Sequence, residues 1–199
     1  MGLNQLVLAT RNRDKVKEIR HIMMNGHWEF LSLLDFPEMA EVAEDGKTLL
    51  DNALKKARAA YRWTKTASIA DDTGLEVDQL NGDPGVRSSR FAGENVSYRD
   101  NNEKLLRLLQ DVPREKRTAR FRCIVVFADG RKEKWVEGIC EGIVLSEYCG
   151  VGGFGYDPLF YVPEKGKTFA EMSREEKNAI SHRGKAFRLM GEWLKNVLD

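Results

Sequence analysis

The run Ala119–Ala128, ARFRCIVVFA, constrains the fold more than any other stretch of this chain. It alternates polar with apolar residues and then turns wholly apolar, as a strand does when it passes from a half-exposed to a buried position. Asp129-Gly130 follows, a strong signal for a tight reversal, and Lys134–Leu145 supplies the return strand. A long antiparallel hairpin must therefore be accommodated by whatever sheet the other segments build.

Those segments read as strand–helix units. Leu6–Ala9 is a short apolar run suited to a buried strand, and it ends in the polar loop Thr10–Lys15. A helix follows at once, with Asp14 as its expected cap, Val16, Ile19, Ile22 and Met23 at helical spacing, and Asn25-Gly26 as its close. Trp28–Leu34 reads as a second strand, and Phe36–Lys47 is acidic and irregular, carrying Glu38, Glu41, Glu44 and Asp45. Thr48 then opens a helix to about Thr64, whose expected buried stripe is Leu49, Leu50, Ala53, Leu54, Ala57 and Tyr61. Ser68–Ala70 is a short strand leading into Asp71-Asp72-Thr73-Gly74, with strand resuming over Leu75–Leu80. A turn at Gly82–Gly85 and a polar loop over Val86–Asn95 precede a helix capped by Ser97, which turns Leu105, Leu106, Leu108 and Leu109 to the core and stops before Pro113. Beyond the hairpin, Leu159–Val162 is a strand and Ser173 to Glu176 has capping-box spacing. The final helix, Ser181–Leu198, carries the stripe Ala186, Phe187, Met190, Trp193, Leu194 and Val197. Strand–helix units around a central hairpin imply an α/β fold with a mixed sheet.

Composition narrows the function classes. The 199 residues suit one domain, or at most two small lobes sharing a core. Charged residues make up 32% of the chain yet nearly cancel to +1, so no global field favours nucleic acid or an anionic membrane. Cys123, Cys140 and Cys149 lack the spacing of a disulfide framework or a zinc cluster. The opening apolar run is too short for a signal peptide and nothing later approaches a membrane span, which points to a cytoplasmic protein.

Three constellations could carry chemistry. Thr10–Lys15, between a strand and a helix start, could hold phosphate through Thr10, Asn12, Lys15 and backbone N–H groups, or could be an ordinary cap and turn. Glu44, Asp71 and Asp72 are hard oxygen donors of the kind Mg²⁺ takes alongside phosphate oxygens and water, or are loop and turn carboxylates. Adjacent strand residues face opposite ways, so Asp71 and Asp72 are expected to do different jobs. In the glycine-rich stretch from Gly150, Phe154 and Tyr156 flank Gly155 and could stack on a base, or could fill the core. Asp157, Lys177, His182 and Arg183 follow, with a turn, a solvated helix face and a helix cap as their plainer readings.

Taken in order, these motifs resemble a known family, the inosine/xanthosine triphosphate pyrophosphatases, which hydrolyse non-standard purine nucleoside triphosphates to monophosphate and pyrophosphate. The resemblance is carried by Leu8-Ala9-Thr10 with Asn12 and Lys15; by Glu44, Asn52-Ala53 and Lys56-Ala57-Arg58; by Ala70 to Leu75; by Pro84-Gly85-Val86 with Ser88 and Arg90; by Gly152 to Pro158; and by Lys177 with Ser181-His182-Arg183-Gly184. It implies that Thr10, Arg11, Asn12, Arg13, Asp14, Lys15 and Lys56 bind the triphosphate. Glu44 and Asp72 become Mg²⁺ ligands, with Asp72 also the proton acceptor for the attacking water. Thr73 stands where relatives usually have a serine contacting substrate. Phe154, Gly155, Tyr156, Asp157, Lys177, His182 and Arg183 match positions that hold the nucleotide and recognise the purine. The implied fold is a single domain over residues 1–199, an elongated mixed sheet flanked by helices with two lobes around a nucleotide-binding cleft, assembled as a homodimer. Arg11 and Arg13 depart from the pattern, because many relatives have smaller residues there, with glycine common at the first position. The rival readings are a Maf-type pyrophosphatase acting on other modified nucleotides and a nucleotide- or RNA-binding module without turnover. Near-neutral charge argues against RNA.

Overall fold

The computed structural model describes residues 4–24 and 28–198. Among these residues the chain forms eight strands and five helices: β1 (Asn4–Leu8), α1 (Arg13–Ile22), β2 (Trp28–Ser32), α2 (Leu49–Thr64), β3 (Ser68–Val77), β4 (Pro84–Gly85), α3 (Tyr98–Leu108), β5 (Thr118–Ala128), β6 (Glu133–Val144), β7 (Phe160–Val162), β8 (Lys167–Thr168), α4 (Arg174–Ile180) and α5 (His182–Leu198). The strands make one mixed sheet in the order β2-β1-β3-β5-β6-β7-β8, with β4 paired to β3. β1 runs parallel to β2 and to β3, while β3–β4, β6–β7 and β7–β8 are antiparallel. The α/β class with a mixed sheet is as the sequence implies. No helix among the described residues is long and apolar enough to cross a membrane.

The chain divides into two compact units, each assembled from separated segments. The first comprises residues 1–72, 123–138 and 183–199, and the second residues 73–122 and 139–182. Each has its own cluster of buried side chains. In the first unit Leu6 and Leu8 of β1, Val16 and Ile19 of α1, Phe127 of β5, and Phe187, Met190 and Leu194 of α5 pack together. Trp193 packs against this cluster and meets Phe127 edge-on at 5.2 Å. In the second unit Leu75, Leu105, Leu109, Phe121, Leu159, Phe160 and Phe169 do the same.

Local chemistry accounts for most boundaries. Thr48, Ser97 and Ser173 each cap a helix in a reciprocal box with Asp51, Asp100 and Glu176. Asn12, rather than Asp14, caps α1: its side-chain oxygen accepts from the backbone N–H groups of Asp14 and Lys15 at 2.9 and 3.1 Å. An amide one residue before the helix satisfies two orphan donors, which Asp14, already inside the first turn, cannot reach. The expected close of this helix at Asn25-Gly26 lies outside the described residues.

Two further expectations are corrected. Asp71 to Gly74 do not end a strand; β3 runs through them for ten residues, and a 3₁₀ turn at Asp78–Leu80 ends it. Carboxylates mid-strand read as a break because their cost is judged without partners, and here partners are supplied. Leu108 is 48% exposed, since Asn101, Asn102 and Leu105 take the buried face of α3.

Candidate active site

The strand β3 sets up the polar centre of the first unit. Alternation along it sends Asp71 and Asp72 to different partners. Asp71 accepts from the Lys15 ammonium at 3.0 Å and from the Arg183 guanidinium at 3.3 Å, and Arg183 also binds Glu18 of α1 at 2.5 Å. Both Asp71 and Arg183 are 2% exposed. Burial works against ionisation of Asp71, but Lys15, Arg183 and Lys56 outweigh it and hold the carboxyl well below the usual carboxylate range. Burial likewise opposes the charge on Arg183, and Glu18 and Asp71 keep it cationic.

Asp72 belongs to a second group. Its two oxygens meet Asn52 Nδ2 at 3.2 Å and Lys56 Nζ at 2.8 Å, both from α2. The same ammonium reaches Glu44 at 2.8 Å, so one cation joins two carboxylates. Asn52, Lys56 and Ala60 follow one another at helical spacing on the buried face of α2, where the apolar pattern would have placed Leu50, Leu54 and Tyr61. Burial pushes the Asp72 carboxyl up, in spite of Lys56 and Lys15, and the charge of Glu44 adds to the rise. Burial of Glu44 has the same tendency, but Lys56 prevails and its carboxyl is held below the ordinary value. Two adjacent aspartates are thus pushed in opposite directions, one a fixed charge and one a carboxyl closer to the range in which it can exchange a proton.

The other residues of the Thr10–Lys15 loop have distinct placements. Thr10 Oγ1 accepts from the Asn12 N–H at 3.2 Å, Arg13 and Asp14 are exposed in the first turn of α1, and Arg11 is turned onto the backbone of residues 33–39. The amides of Asp14 and Lys15, which the sequence offers to phosphate, are occupied by the Asn12 cap.

In the second unit the glycine-rich stretch forms a tight structure around Asp157. That carboxylate accepts from the Phe154 N–H at 2.8 Å and pairs with Lys177 of α4 at 2.7 Å. The Lys177 ammonium lies 5.0 Å from the centre of the Phe154 ring, and Tyr98 of α3 approaches the same ring at 6.0 Å. Gly155, at φ +64°, presents its carbonyl to Asn102 at 3.0 Å. Tyr98, Asn102, Tyr148, Phe154, Gly155 and Pro158 line a pocket of about 450 Å³. Tyr156 and His182 are placed differently: the Tyr156 hydroxyl donates to Ser88 O at 2.9 Å, and the His182 ring stacks on Phe121 at 4.5 Å while 2% exposed. Thr73 is half-buried on β3 beside Asp72 in sequence.

Gly153 shows how tightly this stretch is built. Its φ is +70°, and a Cβ there would stand 2.0 Å from an Asp157 oxygen. Gly153→Ala is expected to cost about 1–3 kcal/mol of stability and to release the Lys177–Asp157 pair, measured by thermal unfolding. An unchanged midpoint would show that the stretch can relax around a methyl group.

The family model that matches is that of the Ham1 family, over residues 6–193. The chain belongs to the Ham1 family. A relative from Desulforamulus reducens named dITP/XTP pyrophosphatase is 53% identical over 97% of this chain and 96% of its own length, and one of the same name from Geobacter sulfurreducens is 51% identical over 96% and 97%. The solved structure of the Coxiella burnetii HAM1 protein superposes with a TM-score of 0.88 at 36% identity, covering 97% of this chain and 99% of that one. The Staphylococcus aureus Ham1 protein gives 0.85 at 37% identity, covering 96% and 98%. The resemblance read from the motifs is thus borne out at the level of the family. Against it, Asn52 and Glu18 are the residues whose importance the motifs did not convey. Asn52 stood among the matching residues without a role, and the structure joins it to Asp72. Glu18 lies one turn after Lys15 on α1, a spacing that signals a shared face but not a buried charge.

Proposed function

We propose that the chain hydrolyses the non-standard purine nucleoside triphosphates dITP, ITP and XTP to monophosphate and pyrophosphate with Mg²⁺. The observation that carries the proposal is the Lys56 ammonium bridging Glu44 and Asp72 within a set of buried charges. The names of relatives about half identical along nearly the whole chain support the reaction and the base.

The donor set fits a hard divalent ion. Among the described residues no group of three or more His, Cys, Asp or Glu gathers, so the chain offers two carboxylates here, the number Mg²⁺ takes when phosphate oxygens and water fill its shell. Glu44 and Asp72 would hold it. Mg²⁺, when bound, supplies neutralising charge for the phosphate oxygens.

The residues of the chain do the rest. Lys15 and Lys56 bring positive charge to the triphosphate. Asp72, pushed up by burial, takes the proton from a water attacking the α-phosphorus, and pyrophosphate leaves. Phe154 offers an aromatic face to the base, held in place by Asp157, Lys177 and Asn102. Base choice rests on the 6-oxo group, an acceptor that donors of the site satisfy; adenine presents an amino donor there and leaves them unpaired. Arg183, paired with Glu18 and Asp71, is the cation that fixes Asp71. We also propose that the protein is a homodimer in the cytoplasm and takes no nucleic acid or membrane as partner.

A panel of dITP, XTP, ATP, GTP and UTP with Mg²⁺ tests this reading. Release of pyrophosphate from dITP and XTP at least about a hundredfold more efficient than from ATP is expected for a site that hydrogen-bonds the distinguishing group. Preference for UTP, or binding of dITP without turnover, would contradict it.

A further inference from the structure

The segment between β2 and α2 carries Glu44 and, apart from a single 3₁₀ turn at Leu33–Asp35, has no regular structure. Its backbone groups must be satisfied in some other way. At its start they are satisfied by Arg11. The guanidinium donates through Nη1 to the Leu33 carbonyl at 3.0 Å and through Nη2 to those of Phe36 at 3.3 Å and Met39, with the Pro37 carbonyl 3.5 Å from the same Nη2. Four carbonyls gathered about one rigid fork fold the chain tightly around it. Leu33 N–H also donates to Thr10 O at 3.3 Å, and the Met39 side chain is buried, so the start of the segment is docked on the loop after β1.

The far end has a second anchor. Gly46 N–H donates to Asn52 Oδ1 at 2.8 Å, and the other end of the same amide binds Asp72. No Cβ fits at Gly46, where it would stand 2.5 Å from Asn52 Oδ1. Glu44 therefore lies between two clamps, two residues before Gly46 and five after Met39.

We propose that Arg11 is a positioning residue, not a phosphate cation: with Asn52 it holds residues 33–46 in the shape that brings the Glu44 carboxylate to Lys56 and Asp72. The inference rests on the reading of Glu44 and Asp72 as the metal ligands. A phosphate needs charge at that place, whereas the carbonyls need several N–H donors in one plane, and only the guanidinium supplies those.

The experiment uses Arg11→Lys beside Arg11→Ala, with Asp72→Asn as the control for the metal site. Mn²⁺ binding to the purified protein is followed by paramagnetic relaxation of water, and protease cleavage within residues 36–47 by mass spectrometry. Both Arg11 variants are expected to bind Mn²⁺ about tenfold more weakly and to be cut faster in this segment, as loss of a supporting residue behind a ligand does. The KM for dITP at saturating Mg²⁺ should change less than about twofold. Lys keeps the charge, so wild-type metal affinity and cleavage in Arg11→Lys would overturn the proposal. A KM for dITP raised in Arg11→Ala and restored in Arg11→Lys would overturn it too, in favour of phosphate binding. If Asp72→Asn binds Mn²⁺ as tightly as the wild type, the assignment of the metal ligands has failed, and the positioning role with it. If Asp72→Asn loses Mn²⁺ and the Arg11 variants keep it, only the role of Arg11 has failed.

Discussion

Asp72→Asn is expected to lower kcat for pyrophosphate release from dITP by about a thousandfold while leaving the unfolding midpoint nearly unchanged. The amide is isosteric with the carboxyl, so the buried volume is kept. Lys56 retains Glu44 as its counter-charge, and Asn52 can bond to the new amide oxygen. What disappears is the proton acceptor and one of two carboxylates for the metal. Steady-state kinetics at saturating Mg²⁺, with calorimetry on the same preparation, separates the two effects. A kcat near that of the wild type would remove Asp72 from the chemistry, and a collapsed fold would show that its charge is structural.

Arg183→Met should have the largest effect on stability, about 3–5 kcal/mol in denaturant unfolding. The methionine fills much of the volume but leaves Glu18 and Asp71 buried without their cation. Adding Glu18→Gln to the variant is expected to recover part of the loss, since the second substitution removes one of the stranded charges. The same centre predicts a pH response. Asp71 is depressed in the folded state, so its contribution is fully present above the ordinary aspartate value of about 3.9. It is lost as pH falls below that value through the folded one. Stability should therefore decline on the acid side below about pH 4, and Asp71→Asn, though less stable at neutral pH, should show a shallower decline. Equal acid slopes would mean that Asp71 is not the depressed group.

The resemblance that suggested base contact for His182 and Arg183 did not anticipate where they lie. Arg183 is enclosed by Glu18 and Asp71, and His182 lies on Phe121. The family and the α/β class were legible because they depend on local signals: apolar runs of strand length, capping residues, and motifs whose order along the chain is preserved. The charged centre was legible only as a set of residue types. Binary patterning counts Lys56, Asn52 and Glu18 as surface residues, and each is buried because a partner from a distant segment neutralises it or bonds to it. Glu18 and Arg183 are separated by 165 positions, and no periodicity connects them. Arg11 shows the reverse case. A cation in a phosphate-binding loop invites an electrostatic reading, and its actual partners are carbonyl oxygens that no sequence pattern reveals.

The reaction itself can be tested with isotope-labelled water. Hydrolysis of dITP with Mg²⁺ in water enriched in ¹⁸O, followed by ³¹P spectroscopy, identifies both the bond that breaks and the phosphorus attacked. Attack at the α-phosphorus yields dIMP carrying the label and unlabelled pyrophosphate. Label in the pyrophosphate, or release of orthophosphate with dIDP, would contradict the account.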